Sequence, residues 1–341
     1  MHAIGYQKPA PITDAASLVD IELPNPSPEG HDILVEVKAV SVNPVDYKVR
    51  RSTPPQGSQW KVLGWDASGV VRAVGRDVTL FKPGDHVFYA GSIARSGSNA
   101  ELHLVDERIV GAKPKTLDWA EAAALPLTAI TAWESLFDRL DVKKPVPGTA
   151  PAILIVGGAG GVGSIAVQIA RQLTGLTVVA TASRPETREW VRELGAHHVI
   201  DHSKPLAAEF AALGIGAPAF VFSTTQTDQH VKEIAELIAP QGRFGLIDDP
   251  GAFDVMLFKR KSVSIHHELM FTRSIFGTAD MAEQGRLLGE VARLVDEGRL
   301  KTTLTRRLSP INAANLKTAH ALLESGAARG KVVLEGFATG G

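Results

Sequence analysis

Apolar and polar positions along this chain follow two different periods. Residues 152–156, Ala-Ile-Leu-Ile-Val, form an unbroken apolar run of strand length that empties into Gly157-Gly158-Ala159-Gly160-Gly161-Val162-Gly163-Ser164. Beyond the glycines, Val162, Ile165, Ala166, Ile169, Ala170 and Leu173 recur at helical spacing and share one face. Strand and helix patterns then alternate through 177–181, 185–194, 197–201, 219–224, 228–238 and 243–248. A last strand over 262–267 and a helix over 281–297 follow. Such alternation predicts βαβ units around a parallel sheet, with a ligand outside the C-terminal strand ends.

The first 120 or so residues read differently. Short strands are predicted at 33–40, at 69–75 and behind the turn at Pro83-Gly84, with Gly and Pro between them. That pattern suggests a twisted, barrel-like domain, with 91–99 as a polar surface loop. Helices are expected at 118–124 and 130–137, around Pro126, and the stretch 304–337 is a candidate to return to the first domain. The fold class is therefore α/β. A mostly-β domain begins at 1–125, a Rossmann-type domain occupies 126–268, and 269–341 goes back to the first.

Composition narrows the function. A length of 341 residues suits two domains, and 44% hydrophobic with 21% charged residues is ordinary for a globular protein. A formal charge of −1 gives no bulk attraction to nucleic acid or to an anionic membrane. Neither a spanning apolar run nor a basic-then-apolar leader is visible, so a membrane span and a secretory signal are not expected. Absence of cysteine removes disulfides, thiolate metal sites and cysteine nucleophiles together, and makes the cytoplasm the expected compartment.

The glycine stretch carries the first candidate chemistry. Gly158, Gly160 and Gly163 satisfy G-x-G-x-x-G between a strand and a helix, the context in which the pattern cradles a dinucleotide pyrophosphate. Ala159, Gly161 and Val162 lie within the same turn. About 20 residues on, a domain that prefers NAD sets a carboxylate against the ribose 2′-hydroxyl. Here the second strand ends in Ala182-Ser183-Arg184-Pro185, with no carboxylate before Glu186. A hydroxyl and a guanidinium suit a 2′-phosphate, so the expected cofactor is NADPH, held by Ser183 and Arg184 with Arg188 assisting. Ser183 also reads as a helix cap, which accounts for the serine and not the arginine.

Several segments together resemble the medium-chain dehydrogenase/reductase superfamily, in its quinone-oxidoreductase-like and zinc-type alcohol dehydrogenase-like branch. They are 42–47 (Val-Asn-Pro-Val-Asp-Tyr), 63–71 (Leu-Gly-Trp-Asp-Ala-Ser-Gly-Val-Val), 82–87 (Lys-Pro-Gly-Asp-His-Val), 123–129 (Ala-Ala-Leu-Pro-Leu-Thr-Ala) and 330–334 (Gly-Lys-Val-Val-Leu). The resemblance implies a GroES-like catalytic domain split across both ends, a Rossmann domain between, and a cofactor cleft where they meet. Where zinc-using members of that family place three catalytic ligands, this sequence has Asn43, Trp65 and Leu127, and the cysteines of their structural lobe are missing. A carboxamide, an indole and an alkyl chain cannot make a catalytic zinc site, so no metal is expected. None of the histidine clusters, 197–198 with His202 and 266–267, has zinc spacing.

Without metal, carbonyl polarisation falls to hydrogen-bond donors, and Tyr47 and Asn43 are the candidate catalytic pair. Packing for Tyr47 and a turn role for Asn43 are the alternatives. Asp46 and Asp66 orient neighbours or hold loops, Trp65 walls the pocket, and Arg50-Arg51 reads as a solvated pair. His202 is a candidate against the adenine or a surface histidine. Thr224, Ile247 and Lys331 complete the candidate cofactor contacts. The expected activity is NADPH-dependent reduction of a quinone or an α,β-unsaturated carbonyl. A zinc-type alcohol dehydrogenase and a non-catalytic NADPH-binding sensor are the alternatives. The expected partners are that small substrate and a second copy of the chain, paired through the edge strand at 262–266 with apolar support from Met256, Leu257 and Phe258.

Overall fold

Strand Asp32–Val42 is the spine of the first half of the chain, and its sequence says why. Ile33, Val35, Val37 and Ala39 are buried and alternate with the more exposed Leu34, Glu36 and Lys38, the period of a strand with one dry face. The computed structural model of the protein describes residues 1–55 and 59–338. They divide into a mostly-β unit, Met1–Ile130 with Phe271–Gly341, and a parallel-sheet unit, Thr131–Met270.

In the mostly-β unit, Asp32–Val42 pairs antiparallel with Ala67–Val74 on one side and with Lys331–Glu335 on the other. The sheet continues to His86–Tyr89 and Val110–Ala112 at one edge and to Leu304–Leu308 at the other. Register matters here: Val332 lies opposite Val42. One of the chain's last strands is thereby brought beside the residue before Asn43. A smaller sheet joins Val19–Glu22, His2–Tyr6 and Lys61–Val62.

The parallel-sheet unit places its strands in the order His198–Ile200, Thr177–Thr181, Ala150–Val156, Pro218–Ser223, Arg243–Leu246 and Ser264–His267. All are parallel, and the order reverses direction at Ala150–Val156, the switch point where this architecture takes its ligand. Leu154, Val179, Val221 and Phe244 are fully buried and pack with Val231 and Ile234 of helix Thr227–Leu237. Each such side chain contributes about 1.5–3 kcal/mol through burial. Covering on both faces is why these strands read as continuous apolar runs instead of alternating ones.

Several expectations need correction. The unit boundaries fall after Ile130 and Met270, where 125 and 268 were expected. Residues 91–99 are a surface loop only at 94–96, which are exposed: Gly91, Ser92 and Gly97–Asn99 are buried, and a Cβ on Gly97 would lie 2.2 Å from the Leu63 carbonyl carbon. Arg50 is not solvated. Its side chain is 0% exposed and paired with Glu324, and only Arg51 faces water. Phe258 offers no surface, because it is buried and stacked on Phe244. Helices Pro44–Ser52, Leu206–Ala211 and Ala313–Glu324 were not anticipated. Among the described residues no helix is long and apolar enough to cross a membrane.

Candidate active site

The glycine turn is built from the strand inward. After Val156 the chain turns at Gly157, whose φ of +78° is strained for any residue with a side chain. A Cβ on Gly163 would lie 2.2 Å from the Gly157 carbonyl oxygen, so helix and turn close only around glycine there. Gly160 is the opposite case: its Cβ would meet nothing nearer than the Gly157 oxygen, at 3.4 Å. The protein's own atoms leave that position open, which fits a pyrophosphate approaching the backbone. Helix Gly161–Leu173 begins at this point with Gly160 as its cap. Its first N–H groups, those of Gly161, Val162 and Gly163, have no acceptor one turn back and are available to an anion.

Parallel register gathers the remaining candidates at the same end of the sheet. Thr181 accepts the Gly157 N–H at 2.9 Å and lies 3.2 Å from Nδ1 of His202, which joins the third strand's end to the glycine turn. Burial, opposed by Asp201 and helped by the nearby Arg184 charge, holds the His202 imidazole below its usual pKa. Thr224 donates to the Val156 carbonyl at 2.8 Å, which packs its side chain against Gly157. Ile247 is half-buried just past Arg243–Leu246, its N–H on Ser223 O at 3.3 Å.

The end of the second strand departs from expectation at Ser183. Helix Pro185–Glu193 is capped by Arg184, one residue later: Thr187 Oγ1 accepts the Arg184 N–H at 3.2 Å and donates to its carbonyl at 2.9 Å. The Ser183 hydroxyl is thus not the cap and makes no hydrogen bond among the described residues. Arg184 keeps its side chain 44% exposed, with Nε 3.1 Å from Glu186. Arg188, expected to assist, is turned to the strand ends: its Nη1 and Nη2 donate to the carbonyls of Ala182 and Val199, each at 3.1 Å.

The mostly-β unit holds a buried polar cluster where the sequence suggested a catalytic amide. Asn43 is fully buried; its Nδ2 donates to Ser41 O at 3.3 Å and Asp66 Oδ2 at 3.2 Å, and its Oδ1 accepts from Lys331. Both amide donors are used, so Asn43 does not serve as an oxyanion donor. Lys331 is 3% exposed and gives its other protons to Asp66 Oδ2 at 2.9 Å and Val42 O at 3.2 Å. All three of its N–H groups are satisfied inside the unit, at a position where a cofactor contact was expected. Asp66 also accepts the Leu127 N–H at 3.1 Å, at the start of helix Pro126–Trp133. Burial raises its pKa, opposed by the Lys331 charge. Asp46 accepts the Asn43 N–H at 2.6 Å and closes the first turn of Pro44–Ser52. Burial pushes its carboxyl up to about 7.

Tyr47, the next residue of that helix, is half-buried, and its hydroxyl makes no hydrogen bond among the described residues. Trp65 is fully buried, donates Nε1–H to Ser92 O at 3.1 Å and packs edge-on to Phe271. None of the three positions can ligate zinc: the Asn43 amide is committed, the Trp65 nitrogen is a donor, and Leu127 has no donor atom. Among the described residues no group of three or more His, Asp or Glu could hold a metal. Sequence reasoning missed that Asp66 and Lys331 are partners, 265 residues apart. The one available signal was a pair of opposite charges embedded in apolar runs, where neither remains unpaired.

A GroES-like mostly-β part joined to a Rossmann sheet with a glycine phosphate turn defines a nicotinamide-dependent oxidoreductase. The alcohol dehydrogenase GroES-like domain family matches residues 29–115, and the zinc-binding dehydrogenase family matches 194–334. A zinc-type alcohol dehydrogenase-like protein of Staphylococcus aureus (strain MSSA476) is 42% identical over 98% of this chain and 99% of its own. Among solved structures, a Rhizobium etli CFN 42 protein designated a zinc-dependent alcohol dehydrogenase is 82% identical, with a TM-score of 0.98 over 99% of both chains. Quinone oxidoreductase from Coxiella burnetii is 28% identical, with a TM-score of 0.80 over 99% of both chains. The chain belongs to the medium-chain dehydrogenase/reductase superfamily, in the branch of zinc-type alcohol dehydrogenase-like proteins and quinone oxidoreductases.

Proposed function

We propose that the protein is an NADPH-dependent reductase of quinones or α,β-unsaturated carbonyls that works without a metal. The observation that carries this reading is the donor set at the three ligand positions: Asn43 with its amide committed, Trp65 with its nitrogen donating, and Leu127. The zinc in the relatives' designations does not fit these residues, and no step is routed through it. NADPH supplies a hydride, two electrons with one proton, to the β-carbon of an enone or to a quinone ring. The chain's own part is to bind and to balance charge. The Gly158–Gly163 turn holds the pyrophosphate, Arg184 with Ser183 takes the 2′-phosphate, and His202, Thr224 and Ile247 flank the dinucleotide. The enolate left by hydride addition to an enone takes a proton at its α-carbon, and the anion of a reduced quinone takes one at oxygen; the donor is the Tyr47 hydroxyl or water, and the product is the saturated ketone or the hydroquinone. A phenol is protonated at neutral pH and needs no prior charging to do this.

The same reading includes a homodimer. Ser264–His267 is an edge strand with an unpaired side, and Met256 and Leu257 beside it are exposed at 55% and 38%. A monomer mass by light scattering at micromolar concentration would remove that element. The reaction itself is tested by loss of NADPH absorbance with a panel of quinones, enals and alcohols. Turnover of quinones or enals is expected. Turnover of alcohols alone, in the oxidative direction, would replace this reading with that of an alcohol dehydrogenase.

A further inference from the structure

We infer that Lys331 is the positioning residue of the mostly-β unit: its buried ammonium braces the chain at Val42–Asn43, at Asp66 and, through Asp66, at Leu127. An ammonium has three protons, and here each has an acceptor: Val42 O, Asn43 Oδ1 and Asp66 Oδ2. Those acceptors come from different parts of the sequence. Asp66 passes the connection on, because its second oxygen takes the Leu127 N–H in the first turn of helix Pro126–Trp133. A carboxylate there also suits the positive end of the helix.

The cation fixes an orientation as well as a distance. With the ammonium on one side of Asn43, the amide oxygen must point at it, since a flipped amide would set NH₂ against NH₃⁺. The amide NH₂ then faces Ser41 O and Asp66. The Asn43 backbone N–H goes to Asp46, which ties off the turn that carries Tyr47. Asn43, Trp65 and Leu127, the positions that hold no metal-binding set, thus lie on the segments that Lys331 and Asp66 join. The lysine holds these segments by hydrogen bonds and charge. Its effect on Tyr47 rests on the reductase reading, whereas the bracing itself does not.

The two parts are separable in one experiment on the full-length protein. Lys331→Met keeps the length of the side chain and removes the charge; Lys331→Arg keeps the charge. Amide hydrogen exchange followed by mass spectrometry should show Lys331→Met exchanging roughly tenfold faster or more in peptides covering 41–47 and 125–130 together. Peptides over 150–182, in the other unit, should be unchanged, and Lys331→Arg should recover part of the protection. Should Lys331→Met not fold, Asp66→Asn serves instead, with the same paired loosening expected. Faster exchange confined to 331–335, with 41–47 and 125–130 as in the parent, overturns the bracing. For the catalytic part, kcat with a quinone should fall by roughly tenfold or more while the Kd for NADPH stays the same. If NADPH affinity falls and exchange does not change, Lys331 is a cofactor contact and the inference is wrong. If the parent protein reduces no quinone or enone, the reductase reading fails, and the exchange result still decides the bracing.

Discussion

The glycine turn of the parallel-sheet unit and the Lys331 cluster of the mostly-β unit achieve order by opposite means. The turn is made of backbone: positions where a side chain would collide, at Gly163, alternate with one left open, at Gly160. The cluster is made of side chains: buried Asn43, Asp66 and Lys331 hydrogen-bond to one another, and buried Asp46 takes the Asn43 N–H. A backbone site tolerates little change in residue size but needs no partner. A buried charged cluster needs every partner, because a lone charge in the interior is costly.

The largest effect that contrast predicts is at Asp66. Changing it to Ala leaves Lys331 buried without its counter-ion, and about 3–5 kcal/mol of unfolding free energy should be lost, measured by urea denaturation. A loss below about 1 kcal/mol would mean that water reaches the ammonium and that the cluster is not the tight unit described.

A pH profile sharpens the same point. The Asp46 carboxyl holds its proton up to about 7 in the fold, whereas an unperturbed Asp releases it near 3.8. Folding therefore favours the protonated form, and this group's contribution to stability declines as pH rises from about 4 to about 7. Asp46→Asn should flatten that decline, gaining stability relative to the parent at pH 8 more than at pH 5. Parallel profiles for the two proteins would show that Asp46 does not titrate in this window.

In the turn, Gly163→Ala and Gly160→Ala should part company. The first forces a collision and should cost about 1–3 kcal/mol of stability. The second should leave stability within about 0.5 kcal/mol and still weaken NADPH binding, since the space it fills is the one assigned to the pyrophosphate. Equal NADPH affinity in Gly160→Ala and the parent would vacate that assignment.

Smaller effects follow at the second strand's end. Arg184→Ala should weaken NADPH binding by about 1.5–3 kcal/mol and leave NADH binding nearly unchanged, read by calorimetry at low salt. Ser183→Ala should alter stability by no more than about 0.5 kcal/mol, because the helix is capped at Arg184 through the Thr187 hydroxyl. Thr187→Ala should cost about 1 kcal/mol. A stability loss at Ser183 and none at Thr187 would reverse that assignment of the cap.

How legible each region was in the sequence follows from how it is built. Glycine spacing and apolar periodicity are local, so the turn, its strand and its helix could be read directly, and the strand after Arg243 was placed to within two residues. The mostly-β sheet pairs Ala39 with Glu335 and Val42 with Val332, from opposite ends of the chain, and no local pattern reports such a pairing. Asn43 illustrates the limit. Its residue type and its place before Pro44 allowed a donor or a turn residue, and only the position of Lys331 shows that the amide is already used. Arg50 is a similar case: a basic pair reads as solvated until Glu324, from helix Ala313–Glu324, is placed against it. Ser183 was misassigned by one residue, which is the scale on which helix ends are set by side-chain geometry.

The central claim is hydride transfer without a metal, and turnover before and after metal removal tests it most directly. The protein would be dialysed exhaustively against a strong chelator, its zinc content measured, and NADPH oxidation followed with a quinone and an enal, with and without added zinc. Committed donors at Asn43 and Trp65 predict equal rates in all three states and less than stoichiometric zinc throughout. Loss of activity on chelation, restored by one equivalent of zinc per chain, would contradict the account.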